Sequence, residues 1–349
     1  MSTRRDPNNP NLTPDWILQE ALEHQEENNK SWKAPSHGSS TADTSKKTGK
    51  NDGLTLTVLG CGSMGIAILG GIMSSLAQDQ EKDSQSTDGS GGAAPEALPT
   101  RFNACVRRPE SAKKISDELS KYPHFDSLSI HQNNNLAPMQ EADIILLACK
   151  PYMIADIFSS REMREACVDK LLISVCAGVT QHQLDAIIDR RSCTVVRAMP
   201  NTTAAVRESM TVIEARTPAL APPHARLVEW IFTRVGRIVS LPAANMDAAT
   251  ALCGSGPGFV ALMLEGLVAG GVAMGLPREE AYTMAAQTMR GTTGLALQGG
   301  EHPAILRDKV SSPGGCTIRG LLVLEEAGFK GTVARAVREA AEVASQLGQ

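Results

Sequence analysis

A chain of 349 residues is long enough for two domains, and its 42% hydrophobic content supplies a sizeable core. Its 34 Lys and Arg against 38 Asp and Glu leave a formal charge of −4 and a pI near 6.0. That balance excludes a partner bound by phosphate neutralisation, and 3% aromatic residues exclude a base-stacking platform. No nucleic-acid partner is therefore expected.

Residues 1–52 are polar and read as a mostly disordered tail. Within it, Thr13 suits a helix N-cap and Pro14 the first helical position of a short stretch over 14–27. Its Trp16, Ile17, Leu18 and Leu22 form an apolar stripe, read as a transient helix without a role. Arg4 and Arg5 are followed by Asp6 and by no apolar run, so no secretory signal is expected. Glu20, Glu23, Glu26 and Glu27 argue against a mitochondrial leader. The eight cysteines stand singly, with no CxxC pair, and no two of the seven histidines are four apart. A metal site is not expected, and the thiols point to a reducing, cytoplasmic location. The longest apolar run, Ile144 to Cys149, is strand-sized, so no membrane span is expected.

At Leu54 the texture changes. Leu54–Leu59 reads as a buried strand, followed by Gly60-Cys-Gly-Ser-Met-Gly65 and a helix to about Ala77. Residues 78–100 read as a flexible surface insertion. Strands are then expected at 101–106, 127–131, 143–148, 171–175 and 193–198, separated by helices or turns. Strand alternating with helix predicts a parallel sheet covered on both faces. Two further strands, at 210–213 and 238–241, flank a helix over 223–235. After Pro242 only helical patterns remain. The chain therefore divides into the tail 1–52, an α/β domain over 53–242 and an all-helical domain over 243–349. Gly266, Gly270, Gly271 and Gly275 would weaken a solvated helix, so they imply close helix packing, including packing from a second subunit.

Three motifs carry chemistry. Gly60-x-Gly62-x-x-Gly65 stands between strand and helix, where the glycines permit a tight turn, approach of a pyrophosphate and helix–strand packing. At the end of the next strand an NAD enzyme places an acid on the ribose. Here Arg107 and Arg108 occupy that place, which suits a 2′-phosphate and favours NADPH. Ala148-Cys-Lys-Pro151 follows the fourth strand, at the sheet edge where ligands bind. Finally, Ser311-Ser-Pro-Gly-Gly-Cys-Thr317 opens a helix, with Ser312 expected as N-cap and Pro313 as the first helical residue. Gly314 and Gly315 in a first turn make sense if a carboxylate must reach bare N–H groups there, beside the Thr317 hydroxyl.

These motifs resemble those of the pyrroline-5-carboxylate reductase family. The similarity runs through Ala148–Pro151, Cys176-Ala-Gly178, Arg197-Ala-Met-Pro-Asn201, Asp247–Pro257, Gly270–Pro277 and Leu306–Thr317. The resemblance covers roughly residues 54–347, and the Ser-Ser-Pro-Gly-Gly-x-Thr run is its most specific part. The tail and the 78–100 segment depart from the family's compact form.

The resemblance implies an N-terminal Rossmann-type dinucleotide-binding domain and an all-helical dimerisation domain. It implies reduction of the C=N bond of 1-pyrroline-5-carboxylate to L-proline with NADPH, leaving use of NADH open. It also implies a homodimer through the helical domain, higher oligomers in many members, and an active site at the dimer interface. Carried over by motif, the cofactor would be surrounded by Leu59, Gly60, Cys61, Gly62, Ser63, Met64, Arg107, Arg108 and Asn135, and by Ala148, Cys149, Lys150, Pro151, Val175, Cys176 and Ala177. The substrate would meet Val310, Ser312, Gly315, Cys316 and Thr317, with Thr317 and Ser312 catalytic. A β-hydroxyacid dehydrogenase is the enzymatic rival, but it needs a lysine early in its helical domain, and none lies between Gly254 and Gly291. A non-catalytic NADP(H) sensor is the rival from another class.

Overall fold

The protein is described by a computed structural model over residues 53–83, 95–188 and 193–346; the expected tail and its short helix lie outside these. The strands are β1 (Leu54–Leu59), β2 (Pro99–Val106), β3 (Leu128–Gln132), β4 (Ile144–Leu147), β5 (Leu171–Ser174), β6 (Thr194–Met199), β7 (Ser209–Glu214) and β8 (Gly236–Leu241). They form one sheet in the order β3-β2-β1-β4-β5-β6-β7-β8. The helices among them are α1 (Ser63–Asp83), α2 (Pro109–Leu119), α3 (Leu136–Glu141), α4 (Ile154–Ile157), α5 (Arg161–Glu165), α6 (Gln181–Ile187) and α7 (Pro222–Thr233).

The central strands β4 (Ile-Ile-Leu-Leu) and β5 (Leu-Leu-Ile-Ser) are apolar at nearly every position because both faces of the sheet are covered there. Along β4, Ile144 and Leu146 enter one core with α1 and α7, while Ile145 and Leu147 enter the other with Met139, Phe158 and Leu184. The same alternation in β1, β5 and β6 is the strand's two-residue period meeting two buried layers. The order reverses at β1, which pairs in parallel with β2 on one side and β4 on the other. That opens a crevice at the carboxyl ends of these strands, the place where open α/β sheets bind ligands.

Two expectations need correction. The sheet is not wholly parallel, because β7 runs antiparallel to β6. Only a single 3₁₀ turn, Thr202–Val206, joins them, whereas a parallel crossover needs about a dozen residues or more. With α7 between them, β7 and β8 return to parallel pairing. Secondly, α1 continues past Ala77 to Asp83 and β2 begins at Pro99, so the insertion expected over 78–100 is shorter. Gln78, Gln80, Glu81 and Lys82 are good helix formers and prolong the helix without an apolar stripe; residues 84–94 lie outside the described ranges.

The antiparallel step carries a buried ion pair. Arg197 on β6 donates from Nη1 to Glu214 Oε2 at 3.0 Å, and both side chains are over nine-tenths buried. Removing one partner strands the other charge. Arg197→Met is expected to cost about 3–5 kcal/mol in chemical denaturation. Arg197→Met combined with Glu214→Leu is expected to recover most of that; a single variant as stable as the parent would contradict a structural role for the pair.

Beyond β8 the chain is helical: α8 (Met246–Ala249), a π-helical turn (Thr250–Gly254), α9 (Gly256–Ala273), α10 (Arg278–Gly299), α11 (Pro303–Lys309), α12 (Cys316–Glu326) and α13 (Phe329–Gln346). It belongs to one contact unit with the sheet, over Asp52–Gln349. Asn201 Nδ2, just past β6, donates to Cys253 O in the π turn at 2.9 Å. α9 and α10 form a hairpin around Val268, Ala281 and Ala285. Gly275, at φ +94°, makes the turn between them, and a Cβ on Gly271 would lie 3.4 Å from Ala281 Cβ. Gly266 and Gly270, by contrast, face open space in the single chain.

Leu262, Leu267, Met274, Leu295, Val323 and other apolar side chains of these helices are more than half exposed. The stretch Ala243–Ala273 is also long and apolar enough to cross a membrane by length and composition, with a mean hydropathy of 1.5 and 6% burial in its most apolar window. The core helix of a soluble protein passes the same test, so length and composition alone do not overturn the expectation drawn from apolar runs. Thr250 and Gly254–Gly258 interrupt the run without ending the helical path.

Candidate active site

Gly60 ends β1 in a left-handed conformation, φ +74°, and a Cβ there would lie 2.6 Å from Cys149 Cα. The turn after β1 is thus pressed against the segment after β4. The N–H groups of Gly60 and Cys61 both donate to Cys105 O at 3.1 Å, which fixes the turn to β2. Gly65 lets α1 pack onto β1, since a Cβ there would meet Val58 Cγ1 at 2.9 Å. Gly62 is exposed, and a Cβ there would meet only Gly60 O, at 3.9 Å. Its space is free on the ligand side. Ser63 then starts α1, whose first turn carries no acid. Bare N–H groups and the positive helix end suit a pyrophosphate.

The other expected cofactor residues line the same sheet edge. Ala148 N–H donates to Leu59 O at 2.9 Å, and Val175 N–H to Leu147 O at 2.9 Å, continuing the strand pairing past β4 and β5. Lys150 and Pro151 are exposed at the start of a 3₁₀ turn, and Ala177 is exposed one residue beyond Cys176. Arg107 and Arg108 are exposed past β2; the Arg107 guanidinium reaches to 3.8 Å from Met153 Sδ, after β4. Asn135 is half-buried and starts α3. Three of the thiols here, those of Cys61, Cys105 and Cys149, are not nucleophiles, whereas the hydrogen bond with Cys149 lowers the Cys176 thiol. Burial pushes the Cys105 thiol up to about 12 and the Cys61 thiol higher still. The hydrogen bond with the Cys176 thiol, together with burial, raises that of Cys149. All three stay neutral and serve as apolar lining.

One residue near this edge is invisible to motif reading. Lys114 on α2 extends to α1, with Nζ 3.4 Å from Ser63 Oγ. Its position depends on how α2 packs against α1, and no sequence spacing encodes that.

The second group lies between α11 and α12. Val310 closes α11 and is 66% exposed. Ser312 to Gly315 form a turn closed by Gly315 N–H to Ser312 O at 3.0 Å, with Pro313 second and Gly314 third at φ +69°. Those positions and residues define a type II turn. Ser312 is therefore not the N-cap, and Pro313 is not the first helical residue. The left-handed Gly314 turns the chain away before a helix can begin, so α12 starts at Cys316 with Gly315 as N-cap. The consequence for chemistry is larger than the shift in register. A glycine cap supplies no side-chain oxygen, and the first turn of α12 has no acid. Its N–H groups remain bare, and Thr317 is the second residue of the helix, half-buried with its hydroxyl in that same turn. Cys316 beside it is exposed.

Among the described residues, no hydrogen bond or ion pair joins Ser311–Thr317 to the edge formed by Gly60, Arg107, Lys150 and Cys176. Each group is assembled; the chain alone does not bond them together.

Residues 243–347 match the family described as pyrroline-5-carboxylate reductase dimerisation, and residues 55–178 match one described as NADP oxidoreductase, coenzyme F420-dependent. A pyrroline-5-carboxylate reductase of Lophium arboricola is 54% identical, over 85% of this chain and 94% of that protein. One of Neurospora crassa is 50% identical, over 84% of this chain and 93% of that protein. Among solved structures, a pyrroline carboxylate reductase of Plasmodium falciparum with NADP bound is 26% identical, with a TM-score of 0.67 over 86% of this chain and all of that one. The chain belongs to the pyrroline-5-carboxylate reductase family.

Proposed function

We propose that this chain reduces the C=N bond of 1-pyrroline-5-carboxylate to give L-proline, with NADPH as donor, the last step of proline synthesis. The observation that carries the reading is the N-terminus of α12: a glycine cap, bare N–H groups and the Thr317 hydroxyl in one turn. A cyclic imine bearing a carboxylate has matching groups, an anion for the helix end and a ring nitrogen for the hydroxyl.

With its pyrophosphate held at the Gly60–Met64 turn, NADPH would supply the hydride that C5 of the imine accepts. The chain's own residues do the rest. The N–H groups of α12 and the Ser312 turn hold the carboxylate, which fixes where C5 lies. Protonation of the imine nitrogen makes that carbon electrophilic, and the Thr317 hydroxyl orients the nitrogen or relays a proton from water. An aliphatic hydroxyl is too weak an acid to be the sole proton source near neutral pH. Most of the rate then comes from positioning, the contribution that a rigid turn on each side can make.

Gly62, Ser63 and Met64 are the pyrophosphate contacts in this reading. Leu59, Cys61, Asn135, Ala148–Pro151 and Val175–Ala177 enclose the rest of the dinucleotide, and Arg107 and Arg108 take the 2′-phosphate. Arg107→Ala with Arg108→Ala is expected to raise the Kd for NADPH about tenfold or more while changing that for NADH little. Equal losses for both would remove the 2′-phosphate assignment.

The functional unit is a homodimer, with the division between cofactor and helical domains after Pro242. Two observations support it: the exposed apolar faces of α9, α10 and α12, and the match of 243–347 to a dimerisation family. A second copy covers those faces and carries the Ser311–Thr317 turn of one protomer toward the cofactor edge of the other. Higher oligomers would be built from such dimers through surfaces outside this interface. Eight free thiols support a reducing, cytoplasmic setting. Conversion of the imine to proline, one equivalent per NADPH consumed and read by mass spectrometry, tests the reaction. Sedimentation of the same sample tests the dimer: a monomer still turning over at assay concentration would contradict an interface site.

A further inference from the structure

The cofactor edge holds a cation that the dinucleotide motif does not account for. Lys114 lies midway along α2, next to Ile115, whose side chain is buried in the core with that of Leu119. The Lys114 side chain leaves that face and crosses to α1, ending with Nζ 3.4 Å from the hydroxyl of Ser63. Ser63 is the first residue of α1 and directly follows Gly62, the open glycine of the turn.

Electrostatically this is a poor place for an ammonium. It faces the positive end of the α1 dipole, and the first turn of α1 has no acid to offset it. Its ion-pair partner is Glu118 one turn along α2, at 3.6 Å with both side chains about half exposed, an arrangement that water screens. Arg107 and Arg108 add two more exposed cations at the start of the same helix. An anion placed between Lys114 and the α1 N-terminus would offset the repulsion between the ammonium, the helix dipole and the two arginines. An ammonium beside a hydroxyl and bare backbone N–H groups is also a donor set suited to phosphate oxygens.

We infer that Lys114, together with Ser63, is a further ligand for a phosphate group of the bound dinucleotide. The inference rests on the reading of this edge as an NADPH site and deepens it. Two phosphates of the same cofactor share the required chemistry: the pyrophosphate, common to NADPH and NADH, and the 2′-phosphate, present only in NADPH. They are separable by affinity.

Isothermal titration of the full chain with NADPH and with NADH, for the parent, Lys114→Gln and Lys114→Arg, tests the inference. Lys114→Gln is expected to raise the NADPH Kd about tenfold and to flatten its dependence on salt, while Lys114→Arg keeps most of the affinity. A loss confined to NADPH assigns the lysine to the 2′-phosphate. Similar losses for both dinucleotides assign it to the pyrophosphate. Unchanged affinity and salt dependence for both, with Arg107→Ala and Arg108→Ala still weakening NADPH, would overturn the role of Lys114 and leave the NADPH site standing. A parent chain that binds neither dinucleotide would overturn both.

Discussion

Gly60→Ala is expected to bind neither NADPH nor NADH with useful affinity. The new Cβ would sit 2.6 Å from Cys149 Cα and 2.9 Å from Cys149 N, and φ is +74°. Backbone cannot yield as a flexible side chain can, so the turn itself must move, and an L-residue in that conformation is strained as well. A displaced turn misdirects the N–H groups that start α1. A loss of ~3 kcal/mol in dinucleotide binding, about a hundredfold in Kd, is the expected size, together with lowered thermal stability. Gly62→Ala is the informative companion. Its Cβ meets only Gly60 O, at 3.9 Å, so the fold should be undisturbed. If Gly62 faces a pyrophosphate, that variant keeps its melting temperature and still loses affinity for both dinucleotides. Titration and thermal melting of the pair therefore separate a glycine required by the turn from one required by the ligand. Full affinity in Gly62→Ala would place the pyrophosphate elsewhere.

Thr317→Ala is expected to lower kcat by about a hundredfold or more while leaving the Kd for NADPH unchanged. Thr317 lies in the first turn of α12, away from any hydrogen bond to the cofactor edge, so dinucleotide binding should not register its loss. Thr317→Ser, which retains the hydroxyl, should keep most of the activity. Turnover undiminished in Thr317→Ala would remove the residue from the mechanism. The same comparison distinguishes an enzyme from an NADP(H) sensor, since a sensor has no turnover to lose.

The α/β half was legible because its physical causes are local. Central strands buried on both faces, such as β4 and β5, are apolar at nearly every position, and two glycines of the first turn, Gly60 and Gly65, answer to a neighbour within a few residues or on an adjoining strand. What escaped depends on relations between segments. The antiparallel direction of β7 follows from the shortness of the Thr202–Val206 connection, a matter of chain length and not of β7's own sequence. Ser312 looked like an N-cap because Ser-Pro is a common helix opening, and the left-handed Gly314 outweighed it by starting a turn first. Gly314 serves the turn and Gly315 the cap, so neither lies where expected, inside the first turn of the helix. Lys114 could not be found from spacing at all. The apolar helices after Pro242 could be identified but not placed, because no segment described in this chain covers their exposed apolar side chains.

The most direct measurement is steady-state oxidation of NADPH and of NADH by the purified chain with 1-pyrroline-5-carboxylate. Turnover with the higher kcat/KM for NADPH is the predicted result. A folded protein that binds NADPH and oxidises neither cofactor in the presence of the imine would contradict the account at its centre.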